Sequence, residues 1–286
     1  MDTNNLSKSK SNPRYLFGTA MTALSGLFVV ITLLPLFTVL FYVASQGIGR
    51  FNLDLFTKLP PSPGLTGGGI ANAIQGTIVV VGIGALIAIP FGVLVAIYIS
   101  EFSDGNQLGR WVRFASDVLS GVPSIIAGIF AFGLLVVTTQ TFSAIAGGVA
   151  LSVLMLPTII RTTLEALKIV PQDVRWASVG IGASSYQTVL SVVIPAALPA
   201  ILTGVTLAVA RAAGETAPLI FTALNSPFWF TGLFEPTPTL SVLVYNFALV
   251  PFAAQKELAW AGALVLVLMV LTTNILARWA THRKVY

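Results

Sequence analysis

The sequence predicts an all-α integral membrane protein that crosses the bilayer six times. The chain of 286 residues is 56% hydrophobic and only 9% charged, with a mean hydropathy of +0.90. A soluble domain of this length cannot hide so much apolar surface from water, whereas a bilayer can. Six apolar runs approach or exceed the roughly 20 residues that a helix needs to cross the hydrocarbon core. Basic residues also cluster at the ends of these runs, as they do in membrane proteins.

The six expected spans follow one another along the chain. The fifth is interrupted by Pro195 and Pro199, and proline inside a membrane helix removes a backbone hydrogen bond and favours a kink. Further breaks are expected at Pro35, Pro90, Pro123, Pro157 and Pro218. The spans lie near Ala20–Ala44, Ile70–Ile99, Val118–Val137, Ala144–Ile160, Thr188–Ala210 and Leu258–Ala277.

The basic residues predict how the spans are oriented. Of the 15 lysines and arginines, eleven fall on the side that carries both termini and three on the other, while Arg211 lies within or at the edge of a span. The positive-inside rule then places both termini in the cytoplasm. Residues 1–15 form a cytoplasmic tail, and residues 16–286 form a single transmembrane domain. The eleven residues are Lys8, Lys10, Arg14, Arg110, Arg113, Arg161, Lys168, Arg175, Arg278, Arg283 and Lys284.

One further apolar segment, Leu240–Phe252, is shorter than a span requires. We interpret it as a re-entrant or interfacial element on the outer face. A crossing at this point would place the basic C-terminal residues outside, against the charge rule.

Composition also excludes several kinds of site. The absence of cysteine excludes disulfides and thiolate metal sites, and the only histidine, His282, lies in the C-terminal tail. The basic residues are scattered at span ends and form no groove for a phosphate backbone. We therefore expect no metal, no catalytic residue, no cofactor and no nucleic-acid partner.

A polar segment of about residues 161–187 separates the fourth and fifth spans. Pro171 suits the first turn of a helix, Gly180 and Gly182 would end that helix and allow a bend, and a second short helix is expected from about Ser185. The residues between follow the spacing of one amphipathic face. Two interpretations stay open: a docking surface for another protein, or a connector that lies on the lipid headgroups.

The spacing in this segment resembles the cytoplasmic motif of ABC importer permeases, which has a Glu-Ala-Ala core, a glycine and a final Ile-x-Leu-Pro. The resemblance implies coupling helices that fit a groove in an ATP-binding subunit. Trp176 stands where the motif usually has glutamate, so an aromatic contact replaces a salt bridge in this interpretation. The chain lacks the G-x-x-x-x-G-K-[ST] phosphate loop, so ATP must be bound by a partner. The residues assigned to coupling are Arg175, Trp176, Ala177, Ser178, Gly182 and Pro195.

Other stretches narrow the resemblance. Gly67–Thr77, Ile89–Gly92, Leu119–Ile125 and above all Ala210–Pro218 are similar to phosphate-specific ABC importer permeases of the PstA type. The similarity covers most of the chain from about Gly67 onward. It implies inward movement of inorganic phosphate across a bacterial cytoplasmic (inner) membrane. The implied partners are a homologous second permease of the PstC type, a dimer of ATP-binding subunits and an extracytoplasmic phosphate-binding protein.

Arg211 and Glu215 are the candidate charges of the solute path. Their i, i+4 spacing predicts one shared helix face, and a charge inside a bilayer is normally paired or functional. Arginine suits an oxyanion because its planar fork donates two parallel hydrogen bonds. The alternative is a structural ion pair that locks two helices together or lies at the outer interface. Thr216, Asn72 and Gln75 complete the candidate path, although Asn72 and Gln75 fit equally well as hydrogen-bonding residues between helices.

The sequence thus predicts a transporter subunit that is not an enzyme by itself. Two alternatives stay open. One is an ABC permease for another oxyanion or small solute, and the other is a secondary transporter or channel that needs no ATPase. A neighbouring gene for a phosphate-loop ATPase would favour the ABC permease.

Overall fold

The computed structural model describes residues 13–103 and 105–282. Every regular element in these two ranges is helical. Five helices within them are long and apolar enough to cross a membrane, and a bent pair makes a sixth crossing if its halves are taken as one span. The predicted all-α membrane fold is therefore confirmed.

The first helix, α1 (Pro13–Gly47), lies at the side of the bundle. Nearly all of its side chains are exposed, and it packs mainly on the last helix of the bundle. The two helices approach closely at Gly47, where an added Cβ would lie 2.8 Å from the carbonyl oxygen of Trp260. Small residues allow membrane helices to approach this closely.

Three long helices form the centre of the bundle: α3 (Ala71–Ile97), α7 (Ala144–Lys168) and α10 (Ile194–Ala213). Before α3 comes the short helix α2 (Leu53–Thr57). Glycines again permit close contact, because a Cβ on Gly84 would lie 3.1 Å from the Gly148 oxygen. Pro35, Pro90 and Pro157 lie inside continuous helices, so the breaks predicted there are wrong.

The third crossing differs from the prediction. Helix α4 (Gln107–Gly121) and the segment Ser124–Thr139 meet at an angle of 106°. That segment comprises α5 (Ser124–Ala131), a π-helical turn and α6 (Val137–Thr139). The bend lies at Val122, which is extended (φ −71°, ψ 128°) because the proline that follows it disfavours the helical conformation. The predicted span Val118–Val137 is therefore wrong at its start, since its first residues belong to the amphipathic α4.

The connection between the fourth and fifth crossings is shorter than predicted. Helix α7 extends through Lys168, so the first part of the expected loop 161–187 is helical. Two short helices follow, α8 (Gln172–Gly180) and α9 (Ser185–Thr188). A π-helical turn, Val189–Val193, then leads into α10. Pro195 lies in the first turn of α10, where its missing N–H is tolerated.

The chain closes with α11 (Ala217–Thr222), α12 (Leu240–Leu249) and α13 (Ala253–His282). The side chains of Leu240, Val242 and Leu243 are buried, and α12 packs on α13 and α3. Helix α12 is too short to cross a membrane, as predicted for Leu240–Phe252, and its description as a re-entrant or interfacial element stays a prediction. The hydroxyl oxygen of Thr77 accepts a 2.8 Å hydrogen bond from the Leu240 amide and holds the start of α12 against α3.

The bundle thus has two ends. The α8 end carries α8, α9 and the points where α3 and α7 finish, because Arg175 of α8 contacts Glu101 and Leu167 there. The α12 end carries α2, the start of α3 and α12.

Candidate functional site

Arg211 and Glu215 flank a break between α10 and α11. Helix α10 ends at Ala213, and the amides of Gly214 and Glu215 donate to the carbonyls of Arg211 and Ala212, both at 3.1 Å. Pro218, in the first turn of α11, has no N–H to continue α10. The shared helix face predicted for Arg211 and Glu215 is therefore wrong: Arg211 is in the last helical turn and Glu215 is beyond it.

The two charges approach each other without a hydrogen bond. The Arg211 Nε lies 3.8 Å from the Glu215 Oε1, and the arginine side chain is 69% exposed against 18% for the glutamate. A distance of this length is too great for a hydrogen bond. The guanidinium therefore keeps its donors available for another group.

Helix α12 holds the break in position. The Ser241 hydroxyl donates a 2.8 Å hydrogen bond to the Glu215 carbonyl oxygen. The Thr216 carbonyl accepts from the amides of Leu219 and Ile220, which starts α11. Sequence reasoning missed Ser241, because no local pattern links it to a residue on another helix.

Asn72 and Gln75 lie near the start of α3 in different surroundings. Asn72 is fully buried, and its Nδ2 donates to the carbonyls of Ser226 and Phe228, both at 3.1 Å. Asn72 thereby connects α3 to the loop before α12. This contact matches the alternative in which Asn72 is a hydrogen-bonding residue of the packed bundle. Gln75 is exposed on the same helix.

A cavity of about 240 Å³ lies between α3, α10 and α13, next to the Arg211 turn. Its lining is mostly apolar, and its polar side chains are Thr77 and Thr273. An anion would lose its hydration there without gaining a charged partner. The exposed surface at Arg211 therefore suits an oxyanion better than this cavity does.

The α8–α9 hairpin has a defined turn. Gly182 adopts φ +95°, its amide donates to the Val179 carbonyl at 2.9 Å, and the Ala183 amide donates to the Ser178 carbonyl at 3.2 Å. This is the Schellman end of a helix, which favours glycine at the left-handed position. Ser184 and Gln187 then cap α9 reciprocally.

Large apolar side chains of this hairpin point away from the bundle. Trp176 is 65% exposed and Ile181 is 88% exposed. Of the residues predicted to couple, Trp176, Ala177, Gly182 and Pro195 are exposed. We define the coupling surface as Trp176, Val179, Ile181 and Tyr186, all of which are exposed.

Two of the predicted coupling residues point inward instead. The hydroxyls of Ser178 and Thr188 are buried and 3.0 Å apart, which links α8 to α9. Arg175 forms an ion pair with Glu101 and donates a 2.8 Å hydrogen bond to the Leu167 carbonyl. Sequence reasoning assigned Glu101 no role, because it lies 74 residues from Arg175 and no periodic pattern connects them.

Comparison with known proteins agrees with this architecture. The chain is 41% identical to the phosphate transport system permease protein PstA of Yersinia pestis over 92% of this chain and 87% of that protein. It is also 41% identical to PstA of Haemophilus influenzae, over 92% of this chain and 94% of that protein. Among solved structures, a bacterial alginate ABC transporter chain superposes with a TM-score of 0.64 at 16% identity, covering 94% of this chain and 95% of that one.

The family match rests on the larger part of the chain. Residues 88–285, which include the α8–α9 hairpin and the α10–α11 break, match the binding-protein-dependent transport system inner membrane component family. Together with the helices long enough to cross a membrane, this makes the chain a multi-pass permease subunit of an ABC transporter. The chain belongs to the family of binding-protein-dependent transport system inner membrane components.

Proposed function

We propose that this permease subunit carries inorganic phosphate inward across a bacterial cytoplasmic membrane. The observation that carries the proposal is the state of Arg211. Its exposed guanidinium lies at a break in a span and makes no hydrogen bond within the described residues. The relatives that are 41% identical over 92% of this chain are named phosphate transport permeases.

The chemistry of the break suits a tetrahedral oxyanion. Arginine donates two parallel, charge-assisted hydrogen bonds to adjacent phosphate oxygens. Glu215, at 3.8 Å, offsets the arginine charge when no anion is bound but leaves its donors unoccupied. Thr216 lies at the same break, and Gln75 is exposed near the start of α3. We assign both residues to the path because of these positions. Since Arg211 is on the surface of a single chain, a homologous second permease of the PstC type would enclose the site.

The distribution of charge supports an orientation with both termini in the cytoplasm. Basic residues are concentrated at the α8 end, whereas Arg50, Lys58 and Lys256 lie at the α12 end. The positive-inside rule then makes the α8 end cytoplasmic. The α12 end faces outward, where an extracytoplasmic phosphate-binding protein would deliver the anion. The basic residues described at the α8 end are Arg14, Arg110, Arg113, Arg161, Lys168, Arg175 and Arg278.

The coupling surface supports docking of an ATP-binding subunit dimer. Exposed tryptophan and tyrosine at a rigidly capped hairpin are typical of protein interfaces. A connector lying on lipid headgroups would not need the polar link between Ser178 and Thr188 that fixes the hairpin. ATP would bind to the partner, because this chain has no phosphate loop.

Reconstitution tests the proposal. The chain would be placed in proteoliposomes with the second permease, the ATP-binding subunits and the phosphate-binding protein of the same host. We expect uptake of labelled phosphate that requires both ATP and the binding protein, and none with a hydrolysis-deficient ATP-binding subunit. Uptake of sulfate in preference to phosphate would assign another oxyanion. Uptake without the ATP-binding subunits would indicate a secondary transporter or channel.

A further inference from the structure

We propose that the buried ion pair between Glu101 and Arg175 transmits the movement of α8 to α3 and so couples ATP hydrolysis to the opening of the path. This inference rests on the proposed function, since it takes the coupling surface to be the docking site of the ATP-binding subunits. The two residues are positioning residues, because neither is placed in contact with the solute.

The ion pair joins elements that are far apart in the chain. Arg175 lies in the middle of α8, and Glu101 lies in the π-helical turn Tyr98–Phe102 at the end of α3. Their side chains are only 14% and 8% exposed. The same guanidinium donates to the Leu167 carbonyl near the end of α7 at 2.8 Å. One side chain of α8 thus contacts the ends of α3 and α7, two of the three central helices.

Helix α8 has little else to hold it to α3. Its packing within the described residues is chiefly on α9 and on the π-helical turn that follows α9. The buried hydroxyl pair of Ser178 and Thr188 makes the second polar connection, and Thr188 directly precedes the turn Val189–Val193. These two side-chain connections of α8 therefore end at or beside a π-helical turn, a feature that is frequent at functional sites.

One π-helical turn follows α3 and the other precedes α10, and both helices carry residues of the proposed path. Gln75 lies near the other end of α3, and Arg211 lies in the last turn of α10. A displacement of α8 would reach α10 through the backbone of α9. Its backbone route to α3 is indirect and runs through α7, which precedes α8 and packs along α3. The ion pair of Arg175 and Glu101 is the direct link from α8 to the end of α3. A charge-assisted pair suits this task, because it resists separation in a site that excludes water.

The test measures how many phosphates enter per ATP hydrolysed in the reconstituted complete transporter. Arg175→Gln or Glu101→Gln alone leaves one charge buried and unpaired, so we expect less assembled complex. The double variant Arg175→Gln/Glu101→Gln leaves no charge uncompensated, and we expect it to assemble. If the pair transmits movement, the double variant should hydrolyse ATP while its uptake per ATP falls about tenfold or more, the effect of losing roughly one charge-assisted hydrogen bond.

The matched control is the exposed ion pair at the same end, Lys168 and Glu165, whose side chains are 60% and 65% exposed. Its double glutamine variant should keep the wild-type ratio. A wild-type ratio of phosphate uptake to ATP hydrolysis in Arg175→Gln/Glu101→Gln would overturn the inference. Failure of that variant to assemble would also overturn it, because the pair would then be needed for folding. Absence of ATP-driven phosphate uptake by the wild-type transporter would instead refute the proposed function.

Discussion

At the end of α10, Arg211 and Glu215 attract each other across 3.8 Å without hydrogen bonding. Because the arginine side chain is exposed and no hydrogen bond joins the two groups, we expect the pair to contribute at most about 1 kcal/mol to stability. The single chain therefore gains little from the arginine, which favours a role in which its donors bind a second molecule.

Replacing Arg211 separates the transport role from the structural one. Arg211→Gln should leave membrane abundance unchanged and lower the initial rate of phosphate uptake about tenfold or more, because the charged fork is lost. Arg211→Lys should recover only part of the rate, since lysine keeps the charge but not the planar geometry. Both are measured as uptake per assembled complex. Normal uptake by Arg211→Gln/Glu215→Gln would remove Arg211 from the mechanism.

Gly182 is a second position where one residue decides local structure. Its φ of +95° is strained for any side chain, although nothing lies within 4 Å of an added Cβ. Gly182→Ala should therefore destabilise the hairpin by about 1–2 kcal/mol and weaken retention of the ATP-binding subunits. Gly180→Ala is the matched control, because Gly180 ends α8 with open space and no positive φ. The measurement is co-purification of the subunits, and equal retention by both variants would contradict the expectation.

At the scale of the elements, α3 lies very close to the segment that leads into α12. An added Cβ on Gly76 would lie 1.9 Å from the Pro238 carbonyl oxygen, whereas one on Gly82 of the same helix would meet nothing within 4 Å. Gly76→Ala should force α12 away from α3 and lower the melting temperature of the detergent-purified protein. Gly82→Ala should leave it unchanged or raise it slightly, since alanine is the better helix former. Equal melting temperatures would show that the junction yields without loss of stability.

The coupling surface is formed by two elements, α8 and α9, together. Trp176→Ala should weaken binding of the ATP-binding subunits by roughly 2 kcal/mol or more, the usual loss at an interface tryptophan. Trp279 is 57% exposed on α13, against 65% for Trp176, and serves as the control. Titration of detergent-solubilised permease with the ATP-binding subunit gives both affinities. If Trp176→Ala binds the ATP-binding subunit with unchanged affinity, the hairpin would instead be assigned as a connector that lies on the lipid headgroups.

For the molecule as a whole, the orientation of the two ends can be tested by labelling with a membrane-impermeant thiol reagent. The natural chain contains no cysteine, so a single introduced thiol reports one position. In spheroplasts, Ser62→Cys at the α12 end should react from outside. Ser185→Cys at the α8 end should react only after permeabilisation. Labelling of Ser185→Cys in intact spheroplasts would reverse the proposed orientation.

Local signals predicted much of this molecule, and contacts between distant residues account for the rest. Apolar run lengths located the crossings, and Gly182 marked the end of α8 because left-handed helix ends select glycine. The break predicted at Pro123 is also confirmed, although run length placed the start of that span too early. By contrast, the burial of α12 depends on Thr77, and the inward position of Arg175 depends on Glu101. Neither contact leaves a periodic trace in the sequence.

The position of α1 has a consequence for how the protein is made. This helix packs mainly on α13, so α1 leaves the ribosome well before its chief partner within the described residues. It must remain in the lipid alone throughout the synthesis of every intervening crossing. Its exposed, strongly apolar surface is compatible with this, since such a helix is stable in a bilayer without neighbouring helices. We therefore expect α1 to pack onto the bundle only after α13 has been synthesised.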